Sequence, residues 1–172
     1  LIACLLGAGK KMCVCTSVCA LWLGPRHAKS SHAEASLSDH QRPLNPRGIK
    51  DAPAMARALQ RLNWIPSRVM VSDSHRTLAT LDGMKTVLGE FPTQALENLY
   101  HASASTLLEC METTGDGETT LILSHNPGTE LAMYEITGEY HRMPTAACAL
   151  LIYHDNAWHC QQVLRPKELS HL

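Results

Sequence analysis

The stretch Arg26-His27-Ala28-Lys29-Ser30 directly follows the apolar run Val18-Cys19-Ala20-Leu21-Trp22-Leu23. A run of that length and make-up predicts a buried strand over about residues 17–23. A strand that ends in Gly24-Pro25 and delivers an arginine beside a histidine suits a phosphate site. The guanidinium offers phosphate oxygens a rigid fork of donors, and the imidazole can act as nucleophile or acid–base near neutral pH. Two further strand-like runs end in similar chemistry: residues 68–72 lead to Ser74-His75-Arg76-Thr77, and residues 119–123 lead to Ser124-His125-Asn126-Pro127-Gly128. A phosphoryl group held where these ends meet would have its charge stabilised by Arg26, Arg76 and His125. His27 would attack phosphorus in line, and water would hydrolyse the covalent phosphohistidine. A helix opening after Asn126-Pro127-Gly128 would add backbone amides and a favourable dipole.

The elements that must position these groups follow from pattern. Asn45 before Pro46 is a helix-start signal. It predicts a helix to about Leu62 with Ile49, Ala52, Met55, Ala56, Leu59 and Leu62 on one face. Pro53 predicts a kink or a later start, because an interior proline costs about 3 kcal/mol. A strand over 68–72, a helix to about Leu88, a short strand near Gln94-Ala95-Leu96 and a helix capped by Ser103 or Ser105 come next. Then follow the strand 119–123, a helix to about Thr137, and two late strands (146–153 and 158–161) around an Asp155-Asn156 turn. Alternating strands and helices imply an α/β three-layer sandwich, a largely parallel central sheet flanked by helices. Ligands in such sheets gather at the carboxyl ends of strands, which is where the cationic and imidazole groups fall.

Composition sets bounds. The 172 residues, 45% apolar and 18% charged, fit one globular domain over 13–172, with 1–12 as an extension of uncertain structure. A net charge of −1 gives no basic field for nucleic acid or an acidic membrane. Of seven cysteines, Cys4, Cys13, Cys15 and Cys19 crowd the first nineteen residues. They lack the paired spacing of a structural zinc site and read as buried or inert thiols. No metal and no cofactor is expected. The apolar start, Leu1 to Leu6, is too short to span a bilayer, and its lysines follow rather than precede it, unlike a secretory signal. A cytoplasmic protein without a membrane partner is the expectation. His32, His40 and His75 read as solvated loop residues, His154 and His159 as structural, and Met55, Met70, Met84, Met111 and Met133 as core filler.

In order along the chain, the signals are Arg26-His27-Ala28-Lys29-Ser30-Ser31, then Arg42-Pro43-Leu44-Asn45 with Gly48, then Ser72…Arg76…Thr80. Leu99-Tyr100-His101-Ala102, Ser124-His125-Asn126-Pro127-Gly128 and Pro144-Thr145-Ala146 complete the set. This ordered set resembles the histidine phosphatase superfamily and, within it, the short SixA-type phosphohistidine phosphatases. The resemblance covers about residues 17–168 and implies a phosphoglycerate-mutase-like fold. It implies that His27 is the phosphorylated nucleophile, that Arg26, Arg76 and His125 complete the phosphate pocket, and that Arg42 is a further phosphate contact, beside Asn126. The chain departs from the family pattern at Pro25 and at Asp73-Ser74, where Asp73 would either orient Arg76 or compete with phosphate. No residue clearly takes the place of a leaving-group acid; Glu97, His101 and Asp73 are candidates. Phosphoramidates release an imidazole that needs little protonation help, so phosphohistidine on a protein partner is the expected substrate. A small phosphate ester, or a non-catalytic phosphate- or protein-binding role, is the alternative. The connections Thr77–Tyr100 and Gly128–Pro144 are too short to build a hood over the site.

Overall fold

The computed structural model describes residues 10–16 and 38–171. The strands are β1 (Lys11–Thr16), β2 (Arg68–Ser72), β3 (Thr93–Leu96), β4 (Thr119–Ser124), β5 (Cys148–His154) and β6 (Ala157–Leu164). The α-helices are α1 (Pro46–Arg61), α2 (His75–Leu88), α3 (Ala104–Glu112) and α4 (Gly128–Thr137), with short 3-10 turns at Asp39–Gln41, Glu97–Leu99 and Pro166–His171. The sheet order is β3-β2-β4-β1-β5-β6. The β3/β2, β2/β4 and β4/β1 pairs are parallel, and β5 pairs antiparallel with both β1 and β6. The fold is thus the α/β sandwich expected, mostly but not wholly parallel.

Alternation along the strands builds two cores. Cys13, Cys15, Val69, Val71, Leu121, Leu123, Cys148 and Leu150 face one side, where they pack with Met55 and Leu59 of α1 and Leu81 and Met84 of α2. Met12, Val14, Met70, Ile122, Ala149 and Leu151 face the other, against Leu107 and Met111 of α3 and Met133 of α4. A period of two on a sheet covered on both faces requires this division. The five methionines read as filler are all buried, and Cys13, Cys15, Cys110 and Cys148 are buried free thiols. Burial pushes the thiols of Cys13, Cys15 and Cys148 up from their ordinary value.

The strand expected at 17–23 lies outside the described residues. The first strand seen is β1, at the sheet centre between β4 and β5, so the boundary drawn after residue 12 falls inside a core strand. In α1, Asn45 caps the helix as expected, accepting from Gly48 N at 2.8 Å. The helix starts at Pro46 and continues through Pro53, so no later start is needed. Its inward stripe is Gly48, Ala52, Met55, Ala56 and Leu59. Ile49, one position and about 100° off that stripe, is 63% exposed. Gly83 of α2 lets the two helices close on each other: a Cβ there would lie 3.1 Å from Ala52 Cβ. Among the described residues, no helix is long and apolar enough to cross a membrane.

Candidate active site

The parallel strands β1, β2 and β4 share one carboxyl edge, and the site assembles there. β4 ends at Ser124, whose hydroxyl donates to Leu99 O at 2.9 Å and ties the strand end to the 97–101 loop. His125 comes next and is 4% exposed. β2 ends at Ser72, and α2 begins soon after with His75 and Arg76. Thr77 of α2 donates to Ser72 O at 2.8 Å, which fixes the strand–helix corner and directs Arg76 inward.

Arg76 and His125 therefore meet, as the sequence predicts. Arg76 Nη2 lies 3.2 Å from His125 Nδ1, and the arginine side chain is only 3% exposed. A guanidinium can only donate, so Nδ1 is the acceptor and the ring proton sits on Nε2. That Nε2–H faces Ser72 Oγ at 3.0 Å, with Ser74 Oγ at 3.3 Å. Ser74 Oγ in turn lies 2.6 Å from Thr77 Oγ1. The ring is held neutral: burial, then the nearby Arg76 charge and His101, bring its pKa down to about 3, against the opposing pull of Asp39.

The buried guanidinium has its counter-ion in a residue the sequence reading passed over. Arg76 donates from Nη1 to the backbone carbonyl of Asp39 and from Nη2 to Asp39 Oδ2 at 3.1 Å. Tyr100 donates to the same Oδ2 at 2.8 Å, and Arg42 donates to Oδ1 at 3.0 Å. His101 Nε2 comes within 3.6 Å of Oδ2. Burial pushes the Asp39 carboxyl up, but Tyr100, Arg42 and Arg76 outweigh it and hold the pKa at about 2. Arg76 Nε is buried with no hydrogen-bond partner among the described residues, a donor left open in a site of cationic character.

Tyr100 is the hub of the rim. Its ring stands edge-on to His40 (4.8 Å between centroids), His101 (4.2 Å) and His125 (5.4 Å), and the Arg76 guanidinium lies 5.6 Å from its centroid. His101 adopts φ +51°, a left-handed conformation that costs a non-glycine residue about 1–2 kcal/mol. It leaves the imidazole 5.7 Å from the ring of His125.

The remaining sequence candidates divide. Asp73 neither orients Arg76 nor competes for it, because it pairs with His40 Nε2 at 2.9 Å. His40 is accordingly not the solvated loop residue expected, whereas His75 is exposed. Asn126 donates from Nδ2 to Met143 O at 2.8 Å, which anchors the exit loop, and its Oδ1 is buried with no hydrogen-bond partner among the described residues. Arg42 stands at the rim beside Asp39. Arg26 and His27 lie outside the described residues. No group of His, Cys, Asp and Glu among the described residues is arranged to hold a metal.

Known proteins resemble the chain in sequence and in fold. No protein-family model matches the chain. It is 32% identical over 144 residues to an uncharacterised chloroplastic protein of Arabidopsis thaliana, covering 77% of this chain and 66% of that protein. It is 34% identical over 140 residues to an uncharacterised protein of Mycobacterium tuberculosis, covering 73% of this chain and 85% of that one. The chain thus spans just under two thirds of the plant protein's length. Among solved structures, SixA from Agrobacterium tumefaciens superposes with a TM-score of 0.74 at 20% identity, over 91% of this chain and 97% of that one. The protein histidine phosphatase SixA, in complex with tungstate, superposes with a TM-score of 0.72 at 21% identity, over 92% and 99%. A mutant phosphoserine phosphatase of Entamoeba histolytica, in complex with phosphoserine, follows with a TM-score of 0.66 at 11% identity, over 93% and 99%. The chain belongs to one family with the plant and mycobacterial proteins, and its fold is that of the SixA-type members of the histidine phosphatase superfamily.

Proposed function

We propose that this chain is a phosphatase working through a covalent phosphohistidine on His27, with phosphohistidine of a protein partner as its substrate. The observation that carries the reading is the buried Arg76 guanidinium held against neutral His125 at the carboxyl edge of the sheet. Its counter-ion Asp39 stands at the half-exposed rim, while Arg76 Nε is a buried donor with no partner among the described residues, and a tetrahedral oxyanion is chemically suited to such a fork of donors. Tungstate, the anion bound by one SixA protein of this fold, is of that shape and charge.

The placement of the flanking chain supports His27 as nucleophile. Thr16, at the end of β1, pairs with Ser124, the residue before His125. Asp39, at the other end of the intervening segment, bonds Arg76. Both anchors of residues 17–37 are therefore at the site, and about ten residues on either side of Arg26-His27 give ample reach at about 3.3–3.6 Å per extended residue. A ring nitrogen of His27 would attack phosphorus as the P–N bond to the substrate imidazole breaks, that imidazole taking its proton from water. Water would then cleave phospho-His27 to release inorganic phosphate and restore the free imidazole.

Two features favour phosphohistidine over an alkyl phosphate. Asp39, the carboxyl nearest Arg76, is ionised at any physiological pH and cannot protonate an alkoxide. Among the described residues the rim is open, with Asp39 44% and His101 54% exposed, which suits entry of a side chain on a folded protein.

The test incubates the wild type and His27→Ala with a phosphohistidine peptide and with p-nitrophenyl phosphate. Release from the peptide by the wild type alone, undiminished by chelator, is the expected result. Equal release by both proteins removes His27 from the mechanism.

A further inference from the structure

Asp39 is over-supplied with donors for a residue on a three-residue turn. A guanidinium and a phenol meet one of its oxygens, a second guanidinium meets the other, and an imidazole stands 3.6 Å away. Anchoring the turn does not require this, since Arg76 already grips the Asp39 backbone carbonyl. The same donors are what a phosphoryl group asks for: charged forks and a hydroxyl aimed at closely spaced anionic oxygens. We propose that the Asp39 carboxylate is an internal stand-in for the substrate phosphoryl group, held on Arg76 until a phosphate monoester or phosphoramidate displaces it.

The inference rests on the reading of this edge as the phosphate site and adds its regulation. A ligand must offer Arg76 and its neighbours more than one carboxylate does. A dianionic phosphoryl group with three free oxygens meets that condition, whereas a carboxylate or a singly charged phosphodiester brings no more charge than Asp39 itself. The device can move: the carboxylate is half-exposed and sits on the 39–41 turn, outside both hydrophobic cores, so it can swing outward without opening packed structure. Its low pKa agrees, because the donors already stabilise a negative charge at this point.

Titration calorimetry with inorganic phosphate, on wild type, Asp39→Asn, Asp39→Ser and Arg76→Ala, tests it. Both Asp39 variants remove the charge, and the serine also removes the reach, so a new contact from the asparagine amide cannot mimic release. The expected result is phosphate binding about tenfold tighter in both, as follows when Asp39 leaves only about a tenth of the wild type competent to bind, with a matching fall in KM for p-nitrophenyl phosphate. Arg76→Ala should bind no phosphate. If both Asp39 variants bind phosphate no better than the wild type while Arg76→Ala still abolishes binding, Asp39 only positions the arginine and the inference falls with the site reading intact. If none of the four proteins binds phosphate, the site reading falls and takes the inference with it.

Discussion

At the scale of the residue, the proposed chemistry centres on Arg76 because of what its shape can satisfy at once. One planar guanidinium reaches the Asp39 carbonyl, the Asp39 carboxylate and His125 Nδ1. A lysine would keep the charge but present a point cation with no fork. Arg76→Lys should therefore lower turnover of p-nitrophenyl phosphate by about 10²–10³-fold, the loss usual for a transition-state oxyanion donor. Circular dichroism should report an unchanged fold, since the variant keeps the buried positive charge beside Asp39. Turnover within a factor of a few of wild type would show that the fork is not used on the reacting group. The neutral state of His125 belongs to this same cluster, because the arginine that holds the ring also disfavours a proton on Nδ1.

At the scale of the element, the site depends on two loops being allowed to touch. Gly128 opens α4 directly against the 100–103 loop, and a Cβ there would stand 1.9 Å from Ala102 O. Backbone cannot yield as a flexible side chain can, so Gly128→Ala should force the His125 loop and the Tyr100 loop apart. Destabilisation of about 1–3 kcal/mol, the range for overpacking, is expected in urea unfolding, together with loss of turnover. Unchanged stability would mean that the loops are not pressed together as described. Local signals of this sort explain what was legible beforehand. The Asn45 cap, the Ser103 cap on Thr106 N and the left-handed Asp155-Asn156 pair at the β5/β6 turn are each written in a few adjacent residues. Arg76 and His125 were legible because each closely follows an apolar strand. The mostly apolar stretch from Met12 to Leu23 holds more than one strand-length window, and periodicity alone did not single out Lys11–Thr16. Asp39 and His40 were missed for another reason: their partners Arg76, Tyr100 and Asp73 lie 37, 61 and 33 residues away, and nothing local distinguishes them from a solvated turn.

At the scale of the whole molecule, the topology brings three strand ends to one edge, and the price in stability is a histidine kept from its proton. In the unfolded chain a histidine titrates near its ordinary value of 6.5, whereas His125 in the fold titrates at about 3. Between those values the unfolded chain binds a proton that the folded protein excludes, so stability must rise with pH across this window. The contribution is complete above about pH 6.5 and is lost as pH falls toward 3, with a slope of at most about 1.4 kcal/mol per pH unit. Asp39 acts in the same direction but lower down: its stabilisation is present above 3.8 and is lost as pH falls toward 2. Arg76, His101 and His40 face His125 with like charge and deepen the effect, while Asp39 moderates it. Urea unfolding midpoints at pH 7, 5.5 and 4 should therefore fall steadily for the wild type. His125→Gln removes the titrating ring while keeping an amide able to meet Ser72 and Arg76, so its midpoints should fall much less between pH 6.5 and 4. Parallel curves for the two proteins would mean that His125 carries its proton in the fold, and the acceptor role of Nδ1 toward Arg76 would be wrong.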